Sequence, residues 1–496
     1  MDAGTRLAIG DDKPPPAGTA QTVAGNYCRI TTSSNDVFCE IDRLGLYKVY
    51  HTADRAIVCS SFLALAEILP QLTVLEQGVY EYLIQGATYG RDTPLAEIRV
   101  ADPCERIEVV SGRIERIEQR SPAIGPAGGD HGAMEQLLHM LRARFRAIAD
   151  LSDGKIDTAL SGGYDSRLML ALLMETGIRP RLHVYGSADS PDVKIAKSIA
   201  GQMSLELTHI DKSAMTRNVG DPLDMVPANY LAMDGLCSDG IFNNGADLAT
   251  RRARAASGAL ALNGGGGEIY RNFFYLPDRP YTVEDVVKVF YHRFAADTFS
   301  RRFEQKAYAA RLGDKLAESF SDQRHELSRS DVEWLYPYFR CRFWMGRNNS
   351  INNRFGPALT PLLDYDLAQI AMAVSIRAKN HGRFEAGLIR RISPELASFA
   401  SEYGYSFAAE PPLRQRWSDT VTMHRPIWIR QHAYRIKRAL RRAAPDGASI
   451  SLAAVHKRYP HAVDRMREYL AFNRLSDPAQ IQRAASLGYL FAELGC

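Results

Sequence analysis

The 496-residue sequence has no long apolar run, no apolar block near its amino terminus and no closely spaced pair of cysteines. A helix that crosses a bilayer needs about 20 consecutive apolar residues, and no stretch of this chain approaches that length. Because it lacks an apolar block, the amino terminus does not resemble a secretory signal. The seven cysteines never occur in C-x-x-C spacing, which argues against a disulfide framework or a zinc site. Together these absences predict a cytoplasmic protein with reduced thiols and no membrane span.

The chain also lacks a large surplus of charge. Its net charge is +4, with 46% apolar and 24% charged residues, which is the ordinary profile of a globular protein and does not suggest nucleic acid as a partner. Positive charge is nevertheless concentrated between Arg414 and Arg442, a stretch in which Asp419 is the only acidic residue. We interpret this basic stretch as a solvated helix face or as a surface for an anionic or peptide partner.

Composition and periodicity divide the chain into four parts. Residues 1–25 are rich in Ala, Gly and Pro and are predicted to form a flexible tail. Residues 26–120 alternate short β-branched and aromatic runs with turns, which predicts an antiparallel β domain. Residues 121–132 have the composition of a linker. Residues 133–496 begin with a helix that has one apolar face and are mostly helical from residue 280 onward.

Between residues 155 and 211, short apolar strands alternate with helices, which predicts a parallel sheet. We predict strands over 155–160, 181–185 and 205–210, a turn over 161–166, and helices over 167–175 and 191–202. Ligands of such sheets bind beyond the carboxyl ends of the strands. The turn over 161–166 and residues 185–192 are therefore expected to share one crevice.

The turn after the first strand has the sequence Ser161-Gly162-Gly163-Tyr164-Asp165-Ser166. A glycine turn that leads into a helix directs backbone N–H groups and the positive end of the helix toward one point, which suits a phosphate or pyrophosphate. Ser161 and Ser166 add hydroxyl donors. A carboxylate beside phosphate is unfavourable unless a cation lies between them, so Asp165 predicts Mg²⁺.

At this point the sequence resembles a known family. The segment Ser161–Ser166 resembles the SGGxDS pyrophosphate loop of the ATP-pyrophosphatase (PP-loop) superfamily, whose members activate a substrate by adenylation. Val184–Ile210 resembles the second strand and helix of the asparagine synthetase branch, Leu262–Tyr270 (LNGGGGEIY) resembles its SGxGxDE loop, and Pro361–Asp364 (PLLD) resembles its PFLD helix start. All four motifs agree in order and spacing.

The resemblance implies ATP and Mg²⁺ as cofactors and identifies the residues that would bind them. Asp165 and Glu268 would be the metal ligands. The predicted ATP contacts are Ser161, Gly162, Gly163, Tyr164, Asp165, Ser166, Val184, Tyr185, Gly264 and Gly266. Tyr164 fills the variable position of the loop.

The amino-terminal part is similar to the latter half of the glutaminase domain that precedes the synthetase domain in this family, with Gly25–Leu65 carrying the similarity. The resemblance implies a degenerate Ntn-hydrolase-like antiparallel domain, followed by an adenine nucleotide alpha hydrolase-like parallel-sheet domain with a helical carboxyl-terminal part. A glutaminase of this type needs cysteine as its first mature residue, because the free α-amino group is the base. Residue 2 is Asp2 and Cys28 would need internal processing, so we do not expect glutamine hydrolysis.

The sequence departs from the family pattern at three positions. Glu268 replaces the usual Asp, Gly265 stands where asparagine synthetases have Glu and β-lactam synthetases have Tyr, and Glu402 falls where a catalytic lysine is expected. Basic residues nearby could supply the missing positive charge to pyrophosphate. We assign this catalytic role to Lys379 and Arg390, and Arg383 and Arg271 are further candidates.

The resemblance implies an ATP-dependent carbon–nitrogen ligase that adenylates a small-molecule or peptide carboxylate, releases pyrophosphate, and then joins the acyl group to an amine. Because ammonia from glutamine is not expected, the amine is free ammonia or part of the substrate, as in lasso-peptide macrolactam cyclases and β-lactam synthetases. A precursor peptide with leader-binding or protease partner proteins would fit the first of these. Amidation of an amino acid or carbohydrate carboxylate, a tRNA-modifying PP-loop enzyme and a non-catalytic pseudo-ligase remain as alternatives.

Overall fold

In a computed structural model, the described residues are 2–9, 22–33, 36–109, 113–116, 128–211, 221–242, 248–432 and 451–496. The fold is mixed α/β, with one five-stranded parallel sheet, smaller antiparallel sheets and many helices. Among the described residues, no helix is long and apolar enough to cross a membrane. No disulfide links the seven cysteines, all of which lie in described segments.

The amino-terminal part contains two antiparallel sheets. Its strands are β1 (Asp2–Ile9), β2 (Thr22–Ser33), β3 (Asp36–Ile41), β4 (Tyr50–Thr52), β5 (Val58–Cys59), β6 (Ile98–Val100), β7 (Glu105–Glu108) and β8 (Ile114–Arg116). The order is β1-β2-β3-β7-β8 in one sheet and β5-β4-β6 in the other. The antiparallel β domain predicted for residues 26–120 is present in its described segments.

The flexible tail predicted for residues 1–25 needs correction where the structure describes it. Asp2–Ile9 pairs with β2 over its full length, with Asp2 opposite Arg29 and Ile9 opposite Thr22. This pairing satisfies the outer N–H and C=O groups of β2, which would otherwise form an open sheet edge. The prediction was based on the Ala, Gly and Pro content of residues 1–25, much of which, including the three prolines at 14–16, lies outside the described residues.

Two helices interrupt the predicted β domain, α1 (Phe62–Ile68) and α2 (Glu76–Gln85). The Ser61 hydroxyl caps α1 by accepting from the Ala64 N–H at 3.1 Å, and the hydroxyl itself donates to Asp234 at 2.5 Å. Asp234 also accepts from the Phe62 N–H at 2.9 Å. A carboxylate of the second half therefore fixes the start of α1 and joins the two halves of the chain.

The parallel sheet is built from β9 (Ile156–Ala159), β10 (Arg181–Tyr185), β11 (Leu207–Ile210), β12 (Leu260–Leu262) and β15 (Ala358–Leu359), in the order β11-β10-β9-β12-β15. Helices α3 (Gly129–Ser152), α4 (Tyr164–Glu175) and α5 (Pro191–Gln202) connect or flank the first three strands. The predicted alternation of strand and helix over 155–211 is confirmed. The predicted linker over 121–132 is described only from residue 128, and α3 already begins at Gly129.

The remaining chain is mostly helical, as predicted. The helices are α6 (Val226–Ala232), α7 (Leu248–Ala256), α8 (Val283–Val286), α9 (Gln305–Ala317), α10 (Arg329–Leu335), α11 (Gly346–Asn353), α12 (Tyr365–Ala373), α13 (Ile376–Lys379), α14 (Arg383–Ile392), α15 (Pro394–Ser398), α16 (Leu413–Met423), α17 (Leu452–Arg458), α18 (Pro460–Asp464) and α19 (Pro478–Leu494). Strands β13 (Tyr281–Thr282) and β14 (Glu326–Leu327) pair with each other. A π-helical segment, Tyr336–Met345, follows α10.

The order of the parallel strands locates a crevice. The chain winds from β9 outward to β10 and β11, and then returns to place β12 on the other side of β9. The loops that follow β9 and β12 therefore leave the sheet at a topological switch point, where open parallel sheets bind ligands. These two loops are the ones that carry Ser161–Ser166 and Gly264–Glu268.

Candidate active site at the sheet switch point

The loop after β9 is held in a tight turn by its own side chains. Ser166 Oγ accepts from the Ser161 N–H at 3.0 Å, and the two serine hydroxyls lie 3.0 Å apart. The Gly163 N–H donates to Ser161 Oγ at 3.2 Å, and the Gly162 N–H donates to Asp192 Oδ1 at 2.7 Å. The Gly162 and Gly163 N–H groups, which are predicted to bind phosphate, therefore donate to side chains in this structure.

The loop after β12 has no room for larger side chains at its glycines. A Cβ atom on Gly265 would lie 2.7 Å from Met345 Sδ, and one on Gly264 would lie 3.1 Å from Met169 Cε. Gly266 has a φ of +97°, and a Cβ there would lie 2.5 Å from Leu363 Cβ. The Met345 thioether therefore occupies the space that a Glu or Tyr side chain would need at position 265. The close packing brings the loop against Asp165, because a Cβ on Gly267 would lie 2.5 Å from Asp165 Oδ1.

Three carboxylates surround one guanidinium between the two loops. Arg271 Nη2 lies 2.8 Å from Asp165 Oδ1 and 4.0 Å from Glu268 Oε1, and Arg271 Nε lies 2.8 Å from Glu385 Oε2. Asp165 is in the first turn of α4, Glu268 is in the loop after β12, and Glu385 is in the first turn of α14. We call this group the carboxylate–arginine cluster.

Burial changes the protonation of the cluster. Desolvation, opposed by Arg271, raises the pKa of Asp165 to about 6. Desolvation together with the neighbouring Asp165 raises the pKa of Glu385 well above its usual value. Desolvation alone would lower the pKa of Arg271, but the surrounding carboxylates raise it well above its usual value. These shifts favour the protonated form of Glu385 and the charged form of Arg271.

Two residues of this site, Glu385 and Tyr336, were not predicted. Glu385 was not singled out, although Phe384, Leu388 and Ile389 on the same face of α14 are buried, and a carboxylate on an apolar helix face is a recognisable signal. Tyr336 belongs to an aromatic run over residues 334–344, a pattern that indicates packing in a helical core or the lining of an acceptor pocket. It is buried, and its hydroxyl donates to Glu268 Oε2 at 2.5 Å. Nothing in the run itself distinguishes Tyr336 from its neighbours.

A cavity of about 290 Å³ lies beside the cluster. Glu268 and Arg271 form its inner end, and tyrosines form much of its wall. The lining tyrosines are Tyr164, Tyr275, Tyr403 and Tyr405. His381 lies 3.1 Å from Asp419 through its Nδ1, and both residues line the cavity. Tyr164 stacks on Phe407 with 3.9 Å between ring centroids, so the variable position of the loop helps to build this wall.

Lys379 is among the residues that line this cavity, but the Lys379 and Arg390 side chains contact segments other than the loop after β9. The Lys379 ammonium is fully buried and lies 3.1 Å from Glu333 Oε2, and burial lowers its pKa despite this partner. Arg390 donates to the Phe407 carbonyl at 3.1 Å and borders a separate surface depression. Arg383 donates to the carbonyls of Asn380 and Arg377. Arg271 is the predicted basic candidate that the structure brings to the crevice.

The other predicted ATP contacts lie along the same edge of the sheet. Val184 is buried in β10, and Tyr185 ends that strand, with its ring edge-on to His183. Gly186 follows, and its carbonyl lies 2.8 Å from His209 Nε2 in β11. Asp364 caps α12 by accepting from the Leu367 N–H at 2.9 Å, so the predicted helix start is confirmed.

Glu402 lies directly over the glycine loop. Its N–H donates to the Gly162 carbonyl at 3.2 Å, and its Oε1 would lie 3.1 Å from a Cβ on Gly163. Arg167 fixes this segment by donating to the carbonyls of Phe399 at 2.9 Å and Ala400 at 2.8 Å. Partial burial and the nearby Asp192 carboxylate raise the pKa of Glu402.

The donor set at the crevice fits Mg²⁺ that arrives with phosphates. Among the described residues, no group of three or more His, Cys, Asp or Glu side chains is placed to hold a metal ion alone. Mg²⁺ usually uses one or two protein carboxylates and completes its shell with water and substrate phosphates. Asp165 and Glu268 supply two such carboxylates on facing loops, and Arg271 neutralises them in the present structure.

Comparison with known proteins adds no further constraint. No protein-family model matches the chain, and no curated protein is significantly similar to it.

Proposed function

We propose that this chain is an ATP-dependent carbon–nitrogen ligase that adenylates a substrate carboxylate and transfers the acyl group to an amine. One observation carries the proposal. At the switch point of the parallel sheet, the Ser161–Ser166 segment, which contains Asp165, lies beside the loop that carries Glu268, and both carboxylates face Arg271. These residue types at this position suit a bound triphosphate and its cation. The antiparallel amino-terminal sheets are, on this proposal, a degenerate glutaminase-like domain.

In the first step, a substrate carboxylate oxygen attacks the α-phosphorus, and the bond to pyrophosphate breaks. A carboxylate is a poor electrophile, and the acyl-adenylate makes it reactive because AMP is a good leaving group. The departing pyrophosphate would be bound by the hydroxyls of Ser161 and Ser166 and by the amides of the turn. Asp192 and Glu402 would have to move away from the turn for this to happen. Mg²⁺, when bound by Asp165 and Glu268, would neutralise charge on the phosphates.

In the second step, an amine attacks the acyl carbon, the bond to AMP breaks, and the nitrogen loses a proton. The tyrosine-lined cavity is the space beside the cluster in which the acceptor would lie. His381 lines this cavity and is oriented by Asp419 at 3.1 Å, the pairing that general bases commonly have. We therefore assign proton removal from the amine to His381.

The test of the proposal is a pyrophosphate-release assay with ATP, Mg²⁺ and a panel of carboxylates. The panel contains free amino acids, uronic acids, and peptides with internal Asp or Glu. Pyrophosphate that depends on one carboxylate identifies the acyl donor and distinguishes peptide cyclisation from carbohydrate amidation. ATP binding without release for any carboxylate would favour a non-catalytic pseudo-ligase.

The Glu402 carboxylate is expected to weaken ATP binding. Substituting Gln removes a negative charge next to the glycines that would hold the phosphates while keeping the side-chain shape. We expect Glu402→Gln to tighten ATP binding by about threefold to tenfold, from Coulomb repulsion at intermediate dielectric. Glu395→Gln on α15, an exposed position outside the loop, is the matched control. Equal ATP affinities by calorimetry for Glu402→Gln and wild type would contradict this placement of the phosphates.

The pH dependence of activity should follow Asp165. Because this carboxylate must be ionised to hold a cation and its pKa is about 6, kcat/KM for pyrophosphate release should rise with pH and level off above about 6. Stability should change in the opposite direction. A folded-state pKa above the ordinary value means that the contribution of Asp165 to stability is complete at low pH and is lost as pH rises through about 6. A flat rate profile between pH 5 and 7 would rule out Asp165 as the ionised ligand.

A further inference from the structure

Helix α16 has two different faces. Gln415, Asp419 and Met423 recur at every fourth position and line the tyrosine-walled cavity. Leu413, Trp417 and Val421 recur with the same spacing, two positions earlier. Two positions correspond to about 200° around a helix, so this second row lies on the opposite side. The helix therefore forms a wall of the cavity with one face and turns an apolar row outward.

The outward row is exposed to solvent. Leu413 is 75% exposed, Trp417 is 71% exposed and Val421 is 39% exposed, and Trp428 just beyond the helix is 65% exposed. Two of the four tryptophans in the chain are therefore exposed to solvent within 12 residues of each other. Scattered exposed apolar residues are normal, but a row on one helix with two tryptophans marks an interaction surface.

Arginines flank this row. Arg414 and Arg425 are exposed, Arg416 lies 4.0 Å from Glu410, and Arg430 donates to the carbonyls of Tyr275 and Phe274 at 3.0 Å. The Arg430 contacts fasten the segment after α16 to the body of the protein. Of the basic stretch predicted over 414–442, residues 433–442 lie outside the described residues.

We propose that the outer face of α16, with Trp428, docks on an anionic phospholipid surface. An interfacial helix carries apolar and tryptophan side chains on one face and arginines at its margins, and it binds more strongly when the lipids are negatively charged. Leu413, Trp417, Val421 and Trp428 are 39–75% exposed, so these side chains project from the surface, and none of them lines the cavities described above. A surplus of arginine around a projecting apolar row matches an extended sheet of headgroups better than one discrete acidic partner.

Docking in this orientation would bring the cavity close to the bilayer. The inner face of α16 carries Asp419, which contacts His381, while the outer face would rest at the headgroup level. The docking proposal does not depend on the proposed ligase activity, because lipid binding is measured without ATP.

The test is sedimentation of the full chain with vesicles. Vesicles of phosphatidylglycerol mixed with phosphatidylcholine are compared with vesicles of phosphatidylcholine alone, at low and high salt. We expect wild type to sediment with the anionic vesicles and to be released by salt, and its tryptophan emission to shift to shorter wavelength on binding. The Trp417→Ser/Trp428→Ser double variant should bind at least about tenfold more weakly.

The matched control is Ile68→Ser/Leu231→Ser, since these residues are 59% and 58% exposed at other places on the surface. It should bind vesicles as wild type does. Circular dichroism verifies that both double variants are folded, which is expected because all four side chains are exposed. The proposal is overturned if wild type does not bind anionic vesicles at low salt, or if the tryptophan variant binds equally well. It is also overturned if the tryptophan variant instead abolishes self-association seen by analytical ultracentrifugation, which would make this face a protein interface.

Discussion

Asp165→Asn is expected to lower ATP-dependent pyrophosphate release at least about 100-fold, the usual loss when a group that stabilises transition-state charge is removed. Asp165 stands at the start of α4, contacts Arg271 at 2.8 Å and faces Glu268 across the crevice. An amide oxygen keeps the shape of the side chain but provides no negative charge to balance a cation on the triphosphate. Steady-state release with saturating ATP and the best carboxylate of the panel measures the effect.

The matched control is Asp189→Asn. Asp189 is a carboxylate at the same edge of the sheet, its side chain is 97% exposed, and it lies 3.4 Å from Lys194. Activity of this variant should stay within about twofold of wild type, since an exposed ion pair contributes little. Thermal unfolding separates the two explanations of a loss, because Asp165→Asn should fold: its charge is already disfavoured by burial. Full activity in a folded Asp165→Asn variant would remove this residue from the mechanism.

The first three strands of the parallel sheet could be predicted from the sequence because each of them is locally encoded, whereas β12 and β15 were not predicted. β10 and α5 have the predicted bounds, since Arg181–Tyr185 is a compact apolar strand and Ser190 caps the helix that Pro191 begins. The helix after the glycine turn was predicted to begin at 167 and begins at Tyr164. Assigning the whole SGGYDS motif to a turn concealed that its second half is the first turn of α4.

The carboxylate–arginine cluster could be predicted only in part, because it depends on contacts between distant segments. Asp165 and Glu268 are in recognisable motifs, but Glu385 reaches them from α14, more than 100 residues farther along the chain. Lys379 has the residue type that the chemistry needs and is placed by α13 against Glu333 instead. The sequence alone does not show which of several basic residues forms the ion pair with a buried carboxylate in the folded protein.

The largest effect on stability is expected from Arg271→Met. The substitution keeps an unbranched side chain of similar reach but leaves Asp165, Glu268 and Glu385 without their shared cation. Breaking a buried ion cluster by removing one partner costs about 3–5 kcal/mol, and the raised pKa of Glu385, which favours its neutral form, should place this case toward the lower end of that range. Denaturant unfolding at neutral pH measures the free energy of unfolding.

Two conditions should restore stability to Arg271→Met if charge is the cause. Lower pH protonates Asp165, and Mg²⁺ can occupy the space between the unpaired carboxylates, so both should raise the melting temperature of this variant more than that of wild type. Arg279→Met, at an exposed arginine that packs over the Tyr281 ring, is the control and should respond to neither. If Mg²⁺ stabilises the variant and this effect requires Asp165 and Glu268, then Arg271 occupies in the apo protein the position that a divalent cation occupies during catalysis. An Arg271→Met variant as stable as wild type and unaffected by Mg²⁺ would contradict both the role of charge at Arg271 and the assignment of Asp165 and Glu268 as metal ligands.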